Sequence, residues 1–149
     1  MAAAGDAIRS ARGLLSSVTE PRTVLRSVGL AGAGVGLGFA LAPRLGLRLM
    51  GLEADGRGVS LLARLFASRD INVGIGMLRA AGREPLPVQW LDLIAMFQVA
   101  DLAFSGTLYR TGHLSRRAWA IVLGTATPTL VVSLAGRVRA ARAAQELAA

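Results

Sequence analysis

Four apolar stretches, each 18 to 23 residues long, fill most of this 149-residue chain. They cover residues 24–42, 59–81, 88–108 and 118–135. A helix needs about 20 residues to cross a hydrocarbon layer about 30 Å thick. In lipid, backbone N–H and C=O groups must be paired internally, so each stretch is expected to be helical. Four such runs in so short a chain do not suit the buried helices of a soluble domain. The expected fold is all-α: a bundle of four transmembrane helices in up-down order, both termini on one side, with the lipid bilayer as first partner.

The composition agrees. Hydrophobic residues make up 53 % and charged residues 17 %, against about 25 % charge in soluble domains. Mean hydropathy is +0.51. There is no Cys, which excludes a disulfide, a thiolate metal site and a Cys nucleophile. All 17 basic residues are Arg, which we read as a base-composition bias of the genome. The net charge of +8 raises a nucleic-acid reading. The Arg residues fall between and at the ends of the apolar runs, where they flank membrane spans, so no nucleic-acid partner is expected.

Residues 1–24 form a polar N-terminal segment, read as a tail or a helix lying on the membrane surface, with Ile8, Ala11, Leu15 and Val18 at helical spacing. Its Arg, Ser and Ala bias resembles a transit peptide, but Asp6 and Glu20 oppose that reading. The first apolar run starts too late for a cleaved secretory signal. Residues 25–135 form the four-helix domain, and 136–149 a basic C-terminal tail. Pro43 ends the first span, and residues 82–87 make a tight hairpin between spans two and three.

Orientation follows from the Arg count on each side. One side holds nine (9, 12, 22, 26, 79, 83, 137, 139 and 142) and the other six (44, 48, 57, 110, 116 and 117). The positive-inside rule then places both termini in the cytoplasm of a plasma membrane. Trp90 and Trp119 lie near span starts, where interfacial aromatics belong.

Span one carries Gly29, Gly32, Gly34, Gly36 and Gly38, in which Gly32–Gly36 and Gly34–Gly38 are two overlapping small-xxx-small pairs. Such residues let helix backbones approach closely. They serve packing within the chain or, alternatively, a homo-oligomer face. The run Gly32-Ala33-Gly34-Val35-Gly36 is no dinucleotide loop, because a strand must precede that motif.

The most informative residues are polar ones inside the spans: Arg64, Arg69, Asp70 and Asn72 in span two, Gln98 and Asp101 in span three. A charge at the bilayer centre costs about 2.5–3.5 kcal/mol on insertion scales. Such groups normally face the bundle and pair. With the hairpin midpoint near residues 84–85, Arg69 falls opposite residue 100 and Arg64 opposite residue 105. Asp101 is therefore the expected partner of Arg69, and Asp70 is left for Arg64 or another helix. Asp92 lies nine residues from Asp101, on the opposite face of its helix. The cluster is either a buried network that fixes helix register or a polar pocket or relay at mid-bilayer. Pro128, flanked by Thr125, Thr127 and Thr129, predicts a kink in span four.

Arg64-Leu65-Phe66 followed by Arg69-Asp70 and Gly74 (R-L-F-x-x-R-D-x-x-x-G) resembles a motif of small four-helix bacterial membrane proteins that form a domain of unknown function. Ala42-Pro43, Met50-Gly51-Leu52 and Asp101 are similar too, so the resemblance covers roughly residues 25–135. It implies a four-helix membrane fold and no activity. In architecture alone the chain also resembles DoxX-type four-helix proteins, which are associated with quinone or redox partners.

The first functional expectation is an accessory or structural membrane component acting through helix–helix contacts with copies of itself or other membrane proteins. The alternative is a small oligomeric transporter or proton/ion pathway through the Arg/Asp cluster. A membrane enzyme acting on a lipid-like substrate ranks below both. His113 sits alone in a loop, and no phosphate loop, metal spacing or nucleophile elbow occurs. Catalytic residues, metal ligands and cofactors are therefore none.

Overall fold

The computed structural model describes residues 13, 16–52 and 57–148. They include the helices α1 (Pro21–Leu41), α2 (Pro43–Leu49), α3 (Arg57–Ala80), α4 (Gln89–Arg110) and α5 (Arg116–Ala148). No strand occurs among the described residues, so the fold is all-α. Ile8, Ala11 and Leu15 of the N-terminal segment lie outside them, as do Glu53, Asp55 and Gly56, which the sequence reads as turn and cap residues between the first two spans.

Local chemistry sets the helix ends. The Glu20 carboxylate caps α1, accepting from the backbone N–H of Arg22 at 3.1 Å and of Thr23 at 2.6 Å, with Pro21 in the first turn. Burial pushes the Glu20 carboxyl upward, but the N–H donors of Arg22 and Thr23, the Thr23 hydroxyl and the Arg22 charge outweigh it and hold the group below the usual glutamate range. Ala42 leaves helical geometry because the residue before a proline is driven out of the α region. Helices α2 and α4 end alike. Gly51 (φ +74°) and Gly112 (φ +78°) take the left-handed position. Leu52 and His113 donate back to the carbonyls of Leu47 and Leu108, both at 2.9 Å.

Three helices, α1, α4 and α5, are long and apolar enough to cross a membrane, with mean hydropathies of 1.6, 1.4 and 1.7. The sequence reading expected four. At 24 residues α3 has the length, about 36 Å at 1.5 Å per residue. Its interior charges (Arg64, Arg69 and Asp70, with Arg79 near its end) take it below the other three. The segment read as a basic tail is no separate unit, because α5 continues through it for 33 residues in all.

The chain runs back and forth along the bundle. Arg22, at the start of α1, pairs with Glu84 in the hairpin and donates to the Ala81 carbonyl at 2.9 Å. Arg137, late in α5, bonds Asp92 in the first turn of α4. At the other end Ser115 donates to the Gly51 carbonyl at 3.3 Å.

The helices associate as two pairs, α1 along α3 and α4 along α5. The backbones of α3 and α4 hardly approach each other, although the hairpin joins them. Small residues make the first pair. A Cβ on Gly36 would lie 2.7 Å from the Ala67 carbonyl oxygen, and one on Gly74 would lie 2.6 Å from the Gly29 oxygen. Gly32 faces the same way, its Cβ position 3.7 Å from the Asp70 oxygen. Gly34 and Gly38 do not take part, with nothing within 4 Å. Two residues turn a helix by about 200°, so the stripe splits between two faces. The used positions are Gly29, Gly32 and Gly36, at spacings of three and four.

An apolar core of Val24, Leu25, Met77, Ala81, Leu91 and Ile94 closes the hairpin end of the bundle. A smaller cluster around Leu47 and Ala63 lies toward the other end. Outside, large apolar side chains are bare: Leu30, Leu65, Met96 and Phe104 are each more than half exposed. A face of that kind marks contact with lipid or with another protein.

Candidate functional site

Between the two helix pairs runs a cleft. One lobe, about 540 Å³, is lined from all four long helices and reaches Ser27, Gly124, Pro128 and Thr129. A second lobe, about 350 Å³, extends past Phe39, Ser105 and Val122. The lobes share Val35, Arg69, Asp70, Gln98, Asp101 and Thr125. The polar residues therefore sit at the waist of the cleft, with apolar walls above and below.

Arg69 organises the waist. Its Nε donates to Asp70 Oδ1 at 3.0 Å, and its Nη2 lies 3.0 Å from the same oxygen. Nη2 also reaches across the cleft to Asp101 Oδ2 at 3.8 Å. The guanidinium lies over the Phe97 ring at 5.0 Å and the Phe66 ring at 5.6 Å, both within cation–π range. Helical spacing explains the grouping: Phe66 is one turn before Arg69, and Phe97, Gln98 and Asp101 share a face of α4.

Helix α5 supplies the remaining wall. Pro128 has no N–H, so the carbonyl of Gly124 lacks its helical donor. Thr129 Oγ1 donates to the Thr125 carbonyl at 2.8 Å, and Thr125 Oγ1 to that of Ile121 at 2.9 Å. At the waist the carboxylates of Asp70 and Asp101 thus face the one guanidinium of Arg69, with the Gln98 amide able both to donate and to accept.

Of the six polar residues singled out in the sequence, the structure brings four together: Arg69, Asp70, Gln98 and Asp101. Arg64 is not among them. It lines a separate hollow with Arg44 and Arg48, because five residues turn a helix by about 500°, to another face. Asn72 is exposed, its Nδ2 donating to the Ser68 carbonyl at 2.9 Å. Asp70 pairs with its neighbour Arg69 and not with Arg64. The waist holds two carboxylates and one guanidinium. Asp92 faces away, as the nine-residue spacing requires, and its carboxylate takes Arg137 Nε at 3.0 and 3.1 Å. His113 is exposed, its Nδ1 3.0 Å from Thr111 Oγ1.

Sequence reasoning missed the two phenylalanines that frame Arg69. Phe66 carried a usable signal, one helical turn before Arg69. It also missed that Trp90 packs on Gly76, where a Cβ would collide with the indole ring. Trp119 stacks on Tyr109 with centroids 5.8 Å apart. Among the described residues no group of His, Cys, Asp and Glu is arranged to hold a metal ion. Comparison with family models, with curated proteins and with solved structures found no match.

Proposed function

We propose that the chain is a multi-pass protein of the plasma membrane, with α3 as its fourth span, that binds a small amphipathic molecule with a cationic or hydrogen-bond-donating head in the cleft. The observation that carries this reading is the charge at the waist. Asp70 and Asp101 face a single guanidinium, and with α3 spanning the bilayer an excess charge at that depth requires a partner. A cationic head beside Asp101 would supply it, and the apolar lobes would take the tail. The charges of α3 that face the cleft do not have to meet lipid, which supports a spanning role for that helix. The Arg distribution supports cytoplasmic termini, and the R-L-F-x-x-R-D likeness supports four spans.

The test is thermal unfolding in dodecylmaltoside with decylamine or decanoate added. Decylamine should raise the melting temperature, decanoate should not, and Asp101→Asn should abolish the difference. Equal responses to the two additives would refute the reading. If proteoliposomes then show proton flux that Asp101→Asn removes, the waist serves as a proton path.

A second reading, an accessory subunit acting through helix contacts, draws on one observation. Gly34 and Gly38 form an unused small-xxx-small pair on the outer face of α1. Substituting both by Leu should convert any dimer seen by size-exclusion chromatography to monomer. An unchanged oligomeric state would dismiss that role.

A further inference from the structure

The Arg residue that does not join the waist leads to a second site. At the end of the bundle away from the hairpin, α1 stops and the short helix α2 turns toward α3. A hollow of about 660 Å³ lies in that corner, lined by Arg44, Leu45 and Arg48 of α2 and by Ser60, Leu61 and Arg64 of α3. Arg44 and Arg48 are one helical turn apart and so share a face. None of the three guanidinium groups makes an ion pair among the described residues, whereas Arg22, Arg69 and Arg137 all do. The Ser60 hydroxyl on the same wall is shielded from solvent and has no hydrogen-bond partner among the described residues.

Three like charges around one hollow repel each other, and an orphaned buried hydroxyl is costly. An anion with several acceptor oxygens relieves both. The guanidinium fork matches phosphate oxygens in pairs. The surroundings say which kind of phosphate. Leu45 and Leu61 belong to the hollow itself and are 58 % and 60 % exposed, and Leu41 beside it is 76 % exposed. A free phosphate has no use for such a rim, whereas acyl chains lie along it.

We propose that this corner binds the phosphate headgroup of an anionic lipid, held by Arg44, Arg48 and Arg64 with the Ser60 hydroxyl as a further donor, its acyl chains running down the exposed leucines. The proposal rests on the membrane reading but not on the ligand of the cleft. Each Arg near an anionic surface contributes enough that its loss weakens binding about five-fold.

The experiment titrates the full-length protein in dodecylmaltoside with phosphatidylglycerol, phosphatidylcholine or inorganic phosphate, reading bound lipid by native mass spectrometry and stability by melting. Phosphatidylglycerol should be retained and raise the melting temperature, with phosphatidylcholine far weaker. Arg44→Gln and Arg48→Gln should each weaken retention about five-fold, and the triple Arg→Gln variant should lose the preference. Arg110→Gln, outside the hollow, should keep it. If the triple variant does not fold, the exposed single substitutions decide. Equal retention of the two lipids, or a preference that survives these substitutions, would overturn the proposal. Inorganic phosphate reproducing the full effect would overturn the lipid assignment in favour of a soluble anion. A protein that stays dispersed without detergent would sink the membrane reading instead.

Discussion

Adding one methyl group at Gly36 tests how the helices are held together, and the same change at Gly34 is its control. A Cβ at position 36 would stand 2.7 Å from the Ala67 carbonyl oxygen and 2.9 Å from both the Ile71 nitrogen and Cγ1. Ordinary contact begins near 3.4 Å, so the first distance falls short by about 0.7 Å, within the range where overpacking is destabilising. Two of the three atoms are backbone and cannot swing aside, so α1 and α3 must part. Overpacking of this kind costs about 1–3 kcal/mol. At position 34 the new methyl meets nothing within 4 Å. There the helix gains about 1 kcal/mol from Ala in place of Gly. Subtracting that gain from the cost at position 36 as well, the two variants should differ by about 1–3 kcal/mol. The fluorescence of Trp90 and Trp119 in detergent can follow unfolding, and a gap of about 2–12 °C in melting temperature is expected. Gly36→Ala melting at or above Gly34→Ala would refute the close approach of α1 and α3. A Gly34→Ala protein that melts normally but loses a dimer would show that the outer pair works between copies.

Two further outcomes follow. Asp70→Asn should destabilise the protein more than Asp101→Asn, by about 1–3 kcal/mol. Asp70 makes the 3.0 Å contact with Arg69 and Asp101 the longer 3.8 Å one, so parallel melts giving the reverse order would show that the cross-cleft contact dominates. Glu20 makes the start of α1 acid-sensitive. Its carboxyl is held below the usual range, so its contribution is present above the ordinary glutamate value and is lost as pH falls through the lowered one. The melting temperature should decline as the pH drops below about 4.3. Glu20→Gln should flatten that part of the profile and lower stability at neutral pH by about 1 kcal/mol. A wild-type profile that Glu20→Gln leaves unchanged would remove the cap from the account.

Much of the fold was legible because the relevant physics is local. Apolar runs of spanning length and Pro43 after Ala42 each act within a few residues, so the sequence alone located the four long helices to within a few positions at most ends, though it read the short helix α2 as part of a connection. It placed Arg69 and Asp101 at similar depth by counting from the hairpin, since a regular helix rises a fixed distance per residue. The exception was the C-terminal boundary. Arg137, Arg139 and Arg142 mark the edge of an apolar stretch, but charge does not stop a helix, and α5 runs on.

What the sequence left open depends on rotation and on pairing between helices. Hydropathy assigns no azimuth to a helix that is apolar nearly all round. The glycine stripe therefore read as one surface until α3 took Gly29, Gly32 and Gly36 and left Gly34 and Gly38 outside. For the same reason Arg64 and Arg69, five residues apart, looked like one cluster but belong to two sites. Only the tertiary structure decided that α1 pairs with α3 and α4 with α5. That choice opens the cleft, because helices joined by a short hairpin are free to diverge when each packs better against another partner.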